Sequence, residues 1–152
     1  MTHIPTASTD SSRIAVIASR WHADIVDQAV RTCVDDLRTE GRQVDVYKVP
    51  GAFEIPLKVK QLASTGEYAA IAACGLVVDG GIYRHEFVAA TVVDALMRVQ
   101  LETGVPTFSA VLTPLHFHEH DEHHAFFRDH FVIKGREVAR AIIETLTAPK
   151  VA

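Results

Sequence analysis

Short apolar runs alternate along this chain with longer segments whose apolar positions recur at helical spacing. Arg13 to Ala18 is short and apolar, and reads as a buried strand. A helix is expected from Asp24, a residue type suited to cap one, with Ile25, Val26, Ala29, Val30, Cys33, Val34 and Leu37 on one face. Gly41 ends it, and Val44, Val46 and Val49 mark a second strand. Pro50-Gly51 breaks the chain, and Pro56 fits the first turn of a helix that runs to about Ser64. Ala69 to Val78 is continuously apolar, as expected of a central parallel strand. After Gly80-Gly81, a helix from about Glu86 to Thr103 buries Val88, Ala89, Val92, Val93, Leu96 and Val99, and Gly104 and Pro106 stop it. Thr107 to Leu112 makes a fourth strand. Two more helices are expected, over roughly Glu119 to Asp129 and Gly135 to Leu146.

The order βαβαβαβαα shows no repeat, low-complexity tract or linker. Strands that alternate with helices imply a parallel sheet covered on both faces. The expected fold is α/β, a flavodoxin-like three-layer αβα sandwich with a four-stranded parallel sheet. Residues 13–152 form its single domain. Residues 1–12, polar and rich in Ser and Thr, read as a flexible N-terminal arm, mobile or ordered by a neighbouring subunit.

Composition narrows the function classes. At 152 residues and 48% apolar content the chain can bury a sizeable core without disulfides and is too apolar for disorder. The net charge of -4 is small, and no basic stripe suggests nucleic acid as a partner. No apolar run approaches the roughly 20 residues that cross a bilayer. The arm lacks the basic-then-apolar layout of a signal peptide. Cys33 and Cys74 both sit in apolar runs and read as reduced core thiols, compatible with a cytoplasmic protein.

In a parallel sheet of this kind, ligands bind outside the carboxyl ends of the strands. Four segments must converge there: Ser19 to His22, Pro50 to Glu54, Val77 to His85, and Thr113 to His118. They hold residues unusual for simple turns. Trp21, the single tryptophan, offers a stacking face; Glu54 accepts from ring or amine N–H groups; the backbone near Val77 and Val78 can read a ring edge. Together they suit a planar, polar heterocycle. Taken singly, a loop tryptophan is commonly a packing residue, and a glutamate at a helix start commonly complements the helix dipole. Gly80-Gly81 lacks dinucleotide-binding spacing, and the chain has no P-loop and no GxSxG elbow.

A histidine-rich segment is the second candidate feature. His116, His118, His120, His123 and His124 lie within nine positions, and His130 follows. Three readings stay open. His120 and His124, four apart on a helix, could share a metal, although no third ligand at zinc-site spacing completes the set. Protonated imidazoles with Arg128 and Lys134 could rim an anion or active site. A solvated polar helix face would look the same.

The motifs resemble those of lumazine synthases. Pro50-Gly51-Ala52-Phe53-Glu54-Ile55-Pro56 is similar to the PGAFEIP signature of that family, and Leu101-Glu102-Thr103-Gly104-Val105-Pro106 to its LETGVP segment. Val111-Leu112-Thr113 and Lys134-Gly135 match a strand end and a KG near the last helix, and the register holds from about Arg13 to Leu146. The resemblance implies condensation of 5-amino-6-(D-ribitylamino)uracil with 3,4-dihydroxy-2-butanone 4-phosphate to 6,7-dimethyl-8-ribityllumazine, the penultimate step of riboflavin biosynthesis. It implies no metal and no organic cofactor. It also implies a homo-oligomer of pentamers with each active site between adjacent subunits.

Carried over by position, the resemblance puts Trp21 in place of the usual stacking Phe. It places Ala52, Phe53 and Glu54 at the ribityl chain and ring, Leu76, Val77 and Val78 at the ring edge, and Gly81 and Ile82 near the keto phosphate. This chain departs from the family pattern at several points. Arg84 stands where the family has a histidine, and the histidine is His85. Ser109 stands where a Phe usually follows the fourth strand. The phosphate-binding arginine has only the candidates His123, His124 and Arg128, with Lys134 nearby. Such departures resemble the "type II" branch, which tends to form decamers rather than capsids. His85 is expected to shuttle protons, with Arg84 stabilising phosphate or an oxyanion, or the two roles reversed. Two other functions remain to be weighed: a flavin or lumazine carrier on the same pocket, and a His-rich metal-binding protein.

Overall fold

The computed structural model describes residues 13–78, 85–114 and 121–148. Four strands, β1 (Arg13–Ser19), β2 (Gln43–Val49), β3 (Ala70–Leu76) and β4 (Thr107–Leu112), form one sheet in the order β2-β1-β3-β4. All three pairings are parallel. Parallel neighbours need crossovers, which α1 (Ala23–Thr39), α2 (Ile55–Ala63) and α3 (His85–Thr103) supply, while α4 (Asp121–Thr147) follows β4. The chain reverses direction across the sheet between β1 and β3, the kind of place where open α/β sheets bind ligands.

The sheet separates two cores. Alternate residues of β1 and β3, such as Ile14, Val16, Ala72 and Cys74, pack under α1 and α4. The intervening set, including Ala15, Ile17, Ile71 and Ala73, packs under α2 and α3. Every residue of β3 is buried, which explains its unbroken apolar run. The expected layered α/β architecture is the observed one.

Three local differences have physical causes. The last two expected helices are one continuous 27-residue helix, α4. Gly135, read as a helix start, lies inside it. A Cβ there would come within 2.4 Å of the Ala29 carbonyl oxygen and 2.9 Å of Ala29 Cα, so glycine allows α1 and α4 to touch backbone to backbone. The residue that caps α1 is His22, not Asp24. His22 adopts φ 54° and ψ 47°, and its carbonyl accepts from the Ile25 and Val26 N–H groups at 3.0 Å each. Asp24 falls in the first turn, where its charge complements the helix dipole. Val77 and Val78, read as the end of the third strand, lie just beyond it.

Candidate active site at the carboxyl edge of the sheet

The loop after β1 is fixed to the loop after β2. Arg20 N–H donates to the Pro50 carbonyl at 3.1 Å, and the Arg20 guanidinium grips Asp27 on α1 at 2.8 and 3.1 Å. That bidentate bond holds the Asp27 carboxyl below its ordinary range, against the opposing effect of partial burial. Arg20 therefore serves the loop's geometry and points toward α1.

Trp21 follows with 67% of its surface exposed, a large apolar area for a side chain seated in a well-tied loop. Its indole lies over Gly51. A Cβ at Gly51 would meet Trp21 Cε2 at 3.5 Å and Glu54 Oε2 also at 3.5 Å, so the ring and the carboxylate flank one glycine. The sequence Ala52-Phe53-Glu54 folds as a single 3-10 turn ahead of α2, with Pro56 in the first turn of that helix. Ala52 is buried, whereas Phe53 is 68% exposed. The structure thus brings Trp21, Gly51 and Glu54 together, with a second exposed aromatic residue at the same edge.

At the end of β3, Leu76 and Val77 are buried and Val78 is half-buried. Val77 N–H already donates to the Leu112 carbonyl at 2.9 Å, so that donor is committed to the sheet. Leu76 lines a cleft of about 180 Å³ with Leu112, Thr113, Phe127, His130 and Lys134. This cleft belongs to the α1–α4 face, where Leu76 and Phe131 pack. Glu54 leads instead into Ile55, on the α2–α3 face. One chain therefore carries two separate groups of candidate residues, one on either side of the sheet.

The remaining candidates are placed as follows. His85 opens α3 with its side chain only 15% exposed, Nδ1 lying 3.4 Å from Glu86 Oε2. Lys134 Nζ sits 3.0 Å from Glu137 Oε2, and Arg128 is exposed on α4. Ser109 lies inside β4, paired with Ala73 and exposed, three positions short of the strand end, and its Oγ accepts from Val111 N–H at 3.1 Å. Gly81, Ile82, Arg84, His116, His118 and His120 lie outside the described residues, as does the side chain of His123.

Sequence reasoning missed three residues at this edge. His22 and Asp24 meet His124 of α4: the two imidazole centroids are 6.3 Å apart, and His124 Nδ1 lies 3.3 Å from Asp24 Oδ2. A contact between residues 100 positions apart leaves no signal in local periodicity. Ser19 is fully buried at the end of β1, its Oγ without a hydrogen-bond partner among the described residues and 3.0 Å from where a Gly75 Cβ would stand. Among the described residues no group of three His, Cys, Asp or Glu side chains could hold a metal. Burial pushes the Cys33 thiol up to about 12 and raises Cys74 as well, so neither supplies a thiolate near neutral pH.

Comparison with known proteins shows the family of the chain. The sequence profile of the 6,7-dimethyl-8-ribityllumazine synthase family matches residues 11–150. A 6,7-dimethyl-8-ribityllumazine synthase of Rhodococcus erythropolis is 57% identical over 141 residues, 91% of each chain. A protein named 6,7-dimethyl-8-ribityllumazine synthase 2 in Pseudomonas syringae pv. tomato is 55% identical over 142 residues, 91% of this chain and 84% of its own. A Stenotrophomonas maltophilia synthase is 38% identical over 138 residues, 89% of this chain and 87% of its own. The chain belongs to the 6,7-dimethyl-8-ribityllumazine synthase family, transferases of riboflavin biosynthesis.

Proposed function

We propose that the carboxyl edge of the sheet condenses 5-amino-6-(D-ribitylamino)uracil with 3,4-dihydroxy-2-butanone 4-phosphate, and that a second copy of the chain completes each site. The observation that carries the reading is the convergence of the exposed Trp21 indole and the Glu54 carboxylate on Gly51. Trp21 stacks on the pyrimidine, Glu54 accepts from its N–H groups, and Ala52 and Phe53 flank the ribityl chain. Val78 and the Val77 carbonyl face the ring edge, with Leu76 as the packed support beneath them.

The chemistry asks little of the protein. The 5-amino group attacks the ketone, and water leaves to give an imine. Elimination of phosphate generates an enol, which tautomerises to a ketone. The ribitylamino nitrogen attacks that ketone, and a second water leaves as the ring closes. Holding both substrates together supplies much of the rate, because effective molarities for oriented reactants are large. His85 moves protons, its imidazole having one nitrogen that can donate and one that can accept. Arg84, with Lys134 and Arg128 as further cations, stabilises the departing phosphate. Gly81 and Ile82 are assigned to the same phosphate by the family resemblance alone.

Support for a second copy comes from α3. Val93, Met97 and Leu101 recur every four residues and are 41%, 54% and 76% exposed, with Phe87 at 63% and Leu57 of neighbouring α2 at 65%. An apolar stripe of this kind marks a protein interface. A pentamer, and two stacked pentamers as a decamer, would cover it and bring the Trp21 group of one chain to the Lys134 cleft of the next. The reaction is placed in the cytoplasm, in keeping with the two buried, unpaired thiols.

The test is a two-substrate assay that follows lumazine absorbance and released phosphate together. Equal amounts of both products support the proposal. Tight lumazine binding without turnover would replace it with the carrier function. His85→Ala and Arg84→Ala then assign the roles: near-native turnover in the first with abolished turnover in the second would reverse them.

A further inference from the structure

We infer that Asp24 and His124 are positioning residues for the stacking tryptophan: their contact ties the loop bearing Trp21 to the first turns of α4. The inference rests on Trp21 being the residue that stacks on the pyrimidine.

Trp21 sits in a short connection between β1 and α1, and both sides of it are held. On the β1 side, Arg20 binds the Pro50 carbonyl through its N–H and Asp27 through its guanidinium. On the α1 side, His22 occupies the left-handed region at φ 54°, the single non-glycine residue to do so among those described. That conformation is disfavoured for a residue with a Cβ, and it persists only where the surroundings fix it. The fixing elements are at hand. The His22 carbonyl accepts two N–H bonds from the first turn of α1, and its ring lies 6.3 Å from that of His124, tilted 54°. His124 Nδ1 in turn lies 3.3 Å from Asp24 Oδ2, two residues after His22.

The same geometry gives His124 a role other than phosphate binding. Its Nδ1 faces the Asp24 carboxylate, which would compete with an anion for the imidazole. A carboxylate beside a phosphate also repels it. Asp24 is about half exposed and His124 about one quarter, so the pair is a partly solvated one with a modest effect. It adjusts how well Trp21 is presented and does not decide whether the chain folds.

Trp21 is the sole tryptophan, so its fluorescence reports this loop directly. The experiment measures KM for each substrate in five variants, and acrylamide quenching in the unliganded assembly of the four that keep Trp21. They are His124→Phe, which keeps a ring without a donor, Asp24→Ala, the double variant, His124→Asn, whose amide can replace Nδ1–H, and Trp21→Ala. The expected result is greater quenching in the first two variants. Their KM for the pyrimidine rises about twofold to fivefold while kcat and the keto phosphate KM hold. The double variant matches either single one, because the two residues act as a pair. His124→Asn recovers most of the loss. Additive effects in the double variant, or a rise in the keto phosphate KM instead, would overturn the inference and return His124 to the phosphate site. Trp21→Ala separates the two claims: an unchanged pyrimidine KM there removes the stacking role, while the quenching data still decide the tether.

Discussion

Helices α1 and α3 are of similar length, 17 and 19 residues, and lie on opposite faces of the same sheet. Their apolar residues meet different fates. All seven of the larger apolar positions of α1, from Ile25 to Leu37, are buried, and Gly135 lets α4 close against it. In α3 the buried set is Ala89, Val92, Leu96 and Val99, while Phe87, Val93, Met97 and Leu101 stay exposed. One face is finished by its own chain and the other is not. Burying a side chain such as Leu or Met contributes roughly 1.5–3 kcal/mol, so the exposed stripe of α3 represents a substantial unused driving force. The difference teaches that the α2–α3 face carries an apolar surface the chain does not cover itself, and the proposed assembly is the way to bury it.

The comparison can be broken most severely at the finished face. Gly135→Val forces side-chain atoms into the Ala29 backbone, where a Cβ alone would approach to 2.4 Å. Overpacking of this kind typically costs about 1–3 kcal/mol and more where backbone must move, so the variant should lose soluble folded protein or melt well below the native chain. A variant that melts like the native chain would show that the α1–α4 contact is loose.

At the unfinished face the expected effect is on assembly. Met97→Glu with Leu101→Glu puts charge into the α3 stripe, and the solution mass should fall to that of a monomer while secondary structure is kept. The matching change on α1, Arg31→Glu at an exposed position, should leave the mass unchanged. Equal masses for all variants would mean that the stripe is not an interface.

Smaller effects sharpen the same contrast through charge. Asp27 on α1 has its native pKa lowered, first by the Arg20 hydrogen bond. A carboxylate with a lowered folded-state pKa adds stability that is complete above the unfolded value, about 3.9, and lost as pH falls through the lower native value. Denaturant titrations of Arg20→Gln should therefore differ from the native chain near neutral pH and converge with it in strong acid. A constant difference at all pH values would exclude the ion pair as the cause. On α3, Glu102 lies 3.6 Å from Lys60 and 3.9 Å from Arg98, all of them well exposed. Surface pairs contribute about 0–1 kcal/mol, so Glu102→Gln should barely move stability.

Much of this was legible in the sequence because the sheet is parallel. Ile14 to Ala18 and Ala70 to Leu76 are buried on both sides, which leaves the apolar run unbroken and the strand plain to read. The motifs around Pro50 and Leu101 placed the family. Gly135 misled because a mid-helix glycine usually weakens a helix, and only the α1–α4 contact shows why it is tolerated. Asp24 misled because capping statistics do not foresee a histidine in the left-handed region. The tether to His124 spans 100 residues, and such contacts are fixed by tertiary packing rather than by local pattern. Ser109 was matched to a family position that follows the fourth strand, yet it lies inside that strand, which runs to Leu112 as its apolar pattern predicts.

The central claim is that catalysis joins the Trp21 group of one chain to the Lys134 cleft of another. Trp21→Ala and Lys134→Ala proteins should each turn over poorly at low pyrimidine concentration. Unfolded together in equal amounts and refolded, they should form mixed rings in which about one quarter of sites combine two native halves. The initial rate of lumazine formation by that mixture is the deciding measurement. The account predicts recovery to about one quarter of the native rate. A rate equal to the mean of the two parents would contradict it, because both groups would then act within one chain.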